Sequence, residues 1–232
     1  MRNGLYPRWS EVIRDWKFVL AMACGILLAI TAIVLILPPF LEVIEARTGH
    51  RIYDPVLALI GPVYISEWIF VATYSVSLLG VLRNIRSPHH VLWIVFAYAG
   101  INLFRMITMT VVPLEPPETI MALRDPFLEG GVYAGAPKIK DLFFSGHTAT
   151  VGMFIFMERE ARWRLAFISG TILVAFLLLW QHVHYTIDVL AAPFFSFFCV
   201  WAIRQVMALL FPASPVFVPS EVVSRKGRRS GL

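Results

Sequence analysis

Six apolar runs set the limits on what this chain can fold into. They cover residues 18–40, 58–82, 91–113, 143–157, 164–181 and 186–211. A helix needs roughly 20 apolar residues to cross a bilayer, and most of the runs are near or above that length. The fourth is short, so its start is expected to dip in from a loop. With 58% hydrophobic residues and a mean hydropathy of +0.72, the chain is too apolar for a soluble domain. The expected fold is all-α: a polytopic membrane bundle of six transmembrane helices within a single domain, 1–213. A basic, disordered cytoplasmic tail is expected over 214–232. The first run ends in Pro38-Pro39-Phe40-Leu41, without the small residues of a signal-peptidase site, and reads as a retained helix.

Charge placement orients the bundle. Arg2, Arg8, Arg14, Lys17, Arg83, Arg86, Arg159, Arg162, Arg164, Arg225, Lys226, Arg228 and Arg229 all fall on one side under a six-span count. The other side holds only Arg47, Arg51, Arg124, Lys138 and Lys140. The positive-inside rule then puts both termini in the cytoplasm. The basic tail fits anionic lipid headgroups. Nucleic acid is excluded as a partner, because no basic, aromatic-interleaved soluble domain is present. Cys24 and Cys199 both lie inside spans, so they read as buried small side chains rather than a disulfide or a metal pair. Trp9, Trp16, Trp68, Trp93, Trp163 and Trp180 lie near span ends, where interfacial anchoring is expected. Arg204 is expected to snorkel to the cytoplasmic interface.

Two strings carry chemistry. One is Ser145-Gly146-His147-Thr148 and the other is His182-Val183-His184-Tyr185-Thr186-Ile187-Asp188. Titratable side chains are costly at the edge of a bilayer core, so both strings suggest a site. The topology places both at the non-cytoplasmic face. His184 and Asp188 are four apart, on one helical face. A carboxylate on one imidazole nitrogen makes the other a better nucleophile, so His184 is the candidate nucleophile and Asp188 its orienting partner. Gly146 permits close backbone approach, and the N–H groups of a helix start can hold phosphate oxygens. Ser145 and Thr148 add hydroxyls, and His147 is the candidate general acid. For Ser145, a simple N-cap is the alternative. Asp141 either orients His147 or is a solvated loop carboxylate.

Arg105 lies about 12 Å below the outer end of the third span at ~1.5 Å per residue. A charge at that depth needs a partner, either phosphate held by the guanidinium fork or an internal salt bridge such as Glu67. His182 either neighbours the site or faces headgroups. His50, His89 and His90 read as solvated loop residues. The long loop 114–142 contains Pro116, Pro117, Pro126, Pro137, Gly130, Gly131 and Gly135, with Asp125 and Glu129 among its acids, and has the length of a lid or binding segment.

The strings DLFFSGHTATVGMF (141–154), HVHYTIDV (182–189) and FRMITMTVVPLEPPE (104–118) resemble the sphingomyelin synthase family. That family is a branch of the type 2 phosphatidic acid phosphatase superfamily of lipid phosphatases and phosphotransferases. The resemblance implies His147, His184 and Asp188 as a catalytic triad, with Asp141 in the motif. Arg105, Asp141, Ser145, Gly146, Thr148 and Tyr185 are the candidate substrate-binding residues. The implied reaction passes a phosphocholine or phosphoethanolamine headgroup from a phospholipid donor to a ceramide-like lipid alcohol, through a phosphohistidine at His184. No metal and no cofactor are implied, and the site is expected on the exoplasmic, periplasmic or lumenal face. The generic superfamily signature of an upstream Lys and an Arg-Pro pair is absent, which favours the transferase branch. The competing readings are a hydrolase with water as acceptor and a catalytically silent lipid-binding protein.

Overall fold

The computed structural model describes residues 7–124 and 137–218. Arg2, Asp125, Pro126, Glu129, Gly130, Gly131, Gly135, Arg225, Lys226, Arg228 and Arg229 lie outside the described residues. Among those described, the chain is helical, with no β-structure beyond one bridge between His50 and Leu114. A one-turn helix at Trp9–Val12 precedes α1 (Trp16–Ala46), α2 (Ser66–Asn84), α3 (Pro88–Val111), α4 (Gly146–Met157), α5 (Ala161–Trp180) and α6 (Thr186–Leu210).

Helix α4 sits centrally and packs on α6, α5, α2 and α3, while α1 packs chiefly on α3. Gly80 lets α2 approach α4 closely, since a Cβ there would meet the Phe154 ring at 2.5 Å. The largest core cluster joins Leu92, Ile101, Phe144, Ala149, Phe154, Phe167, Ala192 and Val200. By length and apolarity α1, α3, α5 and α6 qualify as membrane-crossing helices, and a helical membrane protein fits the whole. Helix α4 is apolar but only 12 residues long, and a loop leads into it as the sequence suggests.

The second apolar run is not one helix. Residues 60–65 are not helical and α2 begins only at Ser66. Pro62 disfavours the helical conformation at Gly61, and the freed backbone is bonded elsewhere. Val63 N–H donates to the Trp180 carbonyl (3.0 Å) and Ile65 N–H to Gln181 Oε1 (2.9 Å). The first run is longer than expected, because α1 continues through Pro38 and Pro39 by way of a π-helical turn at Thr31–Ile36. There Leu37 N–H reaches back five residues to the Ala32 carbonyl.

Several side chains differ from expectation at the opposite end of the bundle. His89 and His90 are buried, not solvated, because α3 already starts at Pro88. Trp93 is buried and donates to the Val200 carbonyl (3.0 Å), so it is not an interfacial anchor. Cys24 is exposed on α1, whereas Cys199 is buried. Residues 214–218, expected to be disordered, pack against the bundle. Val216 and Phe217 are buried in the core cluster, and Arg159 and Arg204 donate to the carbonyls of Pro215, Val216 and Phe217. Residues 219–232 lie outside the described residues.

Candidate functional site

The two histidine strings meet through the backbone. Ser145 N–H donates to the Asp188 carbonyl at 3.1 Å, tying the start of α4 to the first turn of α6. Two left-handed residues flank the approach: Phe143 (φ 32°), two residues before Ser145, and His182 (φ 55°), two residues before His184. For non-glycine residues such conformations are uncommon and gather at functional sites.

His184 and Asp188 are both buried, and His184 Nδ1 donates to Asp188 Oδ2 at 3.2 Å. The same oxygen accepts the Tyr185 N–H at 3.1 Å. Asp188 therefore caps its own helix and holds the imidazole, which fixes Nδ1 as the protonated nitrogen and leaves the lone pair on Nε2. Asp54 steadies the same helix start: its carboxylate accepts from Thr186 N–H (2.6 Å) and Oγ1 (2.9 Å), and from Val56 and Leu57 N–H. Burial acts to raise the Asp54 pKa, but these bonds outweigh it and hold it below the usual carboxylate value.

Arg105 is buried and bonded to the Phe144 carbonyl (3.1 Å) and to Asp141. Exposed Glu67 is thus not its ion-pair partner. Gly146 makes room for the guanidinium, since a Cβ there would stand 2.5 Å from Arg105 Cζ. Burial pushes the Asp141 pKa up, but Arg105, with smaller contributions from His184 and His147, holds it low. Asp141 is therefore a paired carboxylate within electrostatic reach of both imidazoles, not a solvated loop residue.

Arg105, Asp141, Gly146 and His147 line one end of a cavity of about 520 Å³. Phe70 packs edge-on to His147, with ring centroids 5.6 Å apart. The cavity extends between α1, α2, α3 and α4 to Val81, Ile94 and Phe154. From Arg105 to Ile94 along α3 is roughly 16 Å at ~1.5 Å per residue. Lys138, paired with Glu42, lies at its outer mouth. The shape is that of a slot with a charged end and an apolar shaft.

His184 and Asp188 do not line this cavity and join it only through the backbone contact of Asp188 with Ser145; the other candidates serve the scaffold. Ser145 is fully buried and its Oγ accepts Thr148 N–H (3.4 Å), so it is the N-cap of α4 and its hydroxyl does not line the cavity. Thr148 is buried, does not line the cavity, and its hydroxyl has no hydrogen-bond partner. Tyr185 is buried and donates to the Glu115 carbonyl (2.9 Å), away from the cavity. His182 is buried between Thr119 and the Ile60 carbonyl, so it neither faces headgroups nor lines the cavity. Sequence reasoning missed Asp54, a loop carboxylate 132 residues from its partner. Among the described residues no group of three or more His, Cys, Asp or Glu has the arrangement of a metal site.

Residues 140–205 match the profile of the family described as PAP2 superfamily C-terminal. The matched stretch contains Asp141, His147, His184 and Asp188. It supports the type 2 phosphatidic acid phosphatase-like superfamily, and with it an enzyme of the lipid phosphatase or phosphotransferase kind in a membrane. The match speaks for the superfamily rather than for its sphingomyelin synthase branch. No curated protein matches the chain.

Proposed function

We propose that this protein is an integral-membrane phospholipid headgroup transferase of sphingomyelin synthase type. One observation carries the reading: a slot with a mostly apolar shaft ends on Arg105, Asp141 and His147, while the His184–Asp188 pair, just outside the slot's lining, is tied to the same loop. The donor's phosphodiester lies against Arg105, whose donors not taken by Phe144 and Asp141 hold phosphate oxygens. His184 Nε2 forms a bond to phosphorus as the bond from phosphorus to the glycerol oxygen breaks. His147 gives its proton to that oxygen, and diacylglycerol leaves. His147 then takes the proton of the acceptor hydroxyl, whose oxygen attacks phosphorus and frees His184. Asp141 is a positioning residue that fixes the Arg105 fork. The six-span topology, with both termini cytoplasmic and the site on the opposite face, belongs to this proposal and rests on the positive-inside rule.

The test uses purified protein with headgroup-labelled phosphatidylcholine or phosphatidylethanolamine, with and without ceramide. Labelled sphingolipid is the expected product. Free phosphoalcohol regardless of acceptor overturns transfer and assigns the same residues to hydrolysis. No turnover of any donor identifies a silent lipid-binding protein. His184→Ala is expected to abolish turnover while keeping the wild-type melting temperature; retained turnover removes the phosphohistidine step.

A further inference from the structure

The shaft of the slot is not uniformly apolar. Thr73 and Ser77 on α2 line it, and the oxygens of both hydroxyls are buried beside it without a hydrogen-bond partner, so that a turn about χ1 is what presents them to a ligand. Hydroxyls in apolar helices normally bond back to their own helix. Thr110, Thr171 and Ser196 do so here, to the carbonyls four residues before them. Thr73, Ser77 and Thr148 do not, and of these only Thr73 and Ser77 line the cavity; a buried unpaired hydroxyl is unfavourable.

Their depth matches polar groups on the facing walls. Thr73 and Ser77 follow Phe70, which touches His147, by three and seven residues. On α3, which runs the other way, Asn102 and Tyr98 precede Arg105 by three and seven. On α4, Thr150 follows His147 by three. All line the same cavity. At ~1.5 Å per residue, one tier (Thr73, Asn102, Thr150) lies about 4.5 Å and a second (Ser77, Tyr98) about 10 Å below the charged end. Asn102 is buried and donates to the Tyr98 carbonyl (2.9 Å).

We propose that these tiers bind the hydrogen-bonding groups that link a lipid's headgroup to its chains, with Thr73 and Ser77 as specificity-determining residues. This rests on the proposed function, because the tiers gain their meaning from a phosphate at Arg105. In a lipid held there, the linkage groups begin within about one helical turn of phosphorus. The shared chemistry is a carbonyl acceptor with or without a hydroxyl. It is supplied either by the ester carbonyls of a glycerophospholipid donor or by the amide and hydroxyl of a ceramide-like acceptor.

The test is binding, measured by native mass spectrometry on the full chain carrying His184→Ala so that no ligand is consumed. Two probe pairs are compared: dioleoyl phosphatidylethanolamine with its dioleyl ether analogue, and N-oleoyl ceramide with dioleylglycerol ether. The linkage-bearing member of at least one pair is expected to bind about fivefold more tightly per hydrogen bond. Discrimination in the first pair assigns the tiers to the donor, and in the second to the acceptor. Adding Thr73→Val with Ser77→Ala is expected to erase that preference, and Thr73→Ser to preserve it. The inference is overturned if the parent protein discriminates within neither pair, or if Thr73→Val with Ser77→Ala leaves the discrimination intact. Because binding is read without catalysis, failure of turnover in the wild type counts against the transferase reading and not against the tiers.

Discussion

At the scale of single residues, the candidate site is a set of side chains whose neighbours dictate what they can do. Gly146 is the position that bears most directly on Arg105. Only hydrogen fits between its backbone and the Arg105 guanidinium. Gly146→Ala is expected to displace Arg105 and lower turnover about a hundredfold, a loss typical of a reacting group misplaced by about 1 Å. A phosphotransfer assay and a melting curve on one preparation check this, with folding largely kept. The ionisable members of the site were legible in the sequence for a physical reason: a charge or imidazole beside apolar runs is too costly to be incidental. Thr73, Ser77 and Asn102 were not legible. Hydroxyls and amides are ordinary in membrane helices, and only the rotation of each helix about its axis decides whether they face a neighbour, their own backbone or a cavity. The roles expected for Ser145 and Tyr185 shifted from substrate to scaffold because both hydroxyls are taken up by caps and loop carbonyls.

At the scale of elements, the start of α6 is where stability and site geometry coincide. Asp54 gathers the Thr186, Val56 and Leu57 N–H groups, and so fixes the helix whose first turn holds Asp188. Its folded pKa lies below its ordinary value, so its contribution is complete above about pH 4 and is lost as pH falls through the lower folded value. Asp54→Asn is expected to lower stability at pH 7 by about 1–3 kcal/mol and to flatten the acid limb of a melting temperature against pH series. The start of α4 was read well because its cap, Ser145, is local, whereas α3 starts at Pro88, ahead of the run expected from residue 91. Boundaries were misread where the chain breaks its period. Gly61-Pro62 ends what looked like one apolar run. The π-turn in α1 is invisible to a 3.6-residue period, yet it has a clear result. Ala29, Ile33, Leu37 and Leu41 all line the slot at intervals of four, a spacing that drifts around a regular α-helix and is corrected by the extra residue of the wider turn.

At the scale of the whole molecule, the two ends of the bundle differ in kind. One end carries the slot mouth, Arg105 and the histidines. The other binds Arg83 to Glu158 and Glu160 under Trp163, and pins residues 214–218 with Arg159 and Arg204. The proposed orientation puts the second end in the cytoplasm. In cysteine-free protein (Cys24→Ala, Cys199→Ala), a membrane-impermeant maleimide applied to intact cells is expected to label Glu118→Cys and to spare Arg162→Cys; the reverse pattern overturns the orientation. Helix α1 closes one wall of the slot while little of its apolar length is buried against the rest of the protein. In the proposed setting the outer side of such a wall meets hydrocarbon rather than water, and reactant is expected to arrive from the bilayer. The supply of reactant is then set by composition in two dimensions. In mixed micelles, turnover is expected to follow the mole fraction of donor lipid and to fall when inert detergent is added at constant bulk lipid concentration, so that dilution within the surface, not in the volume, governs the rate.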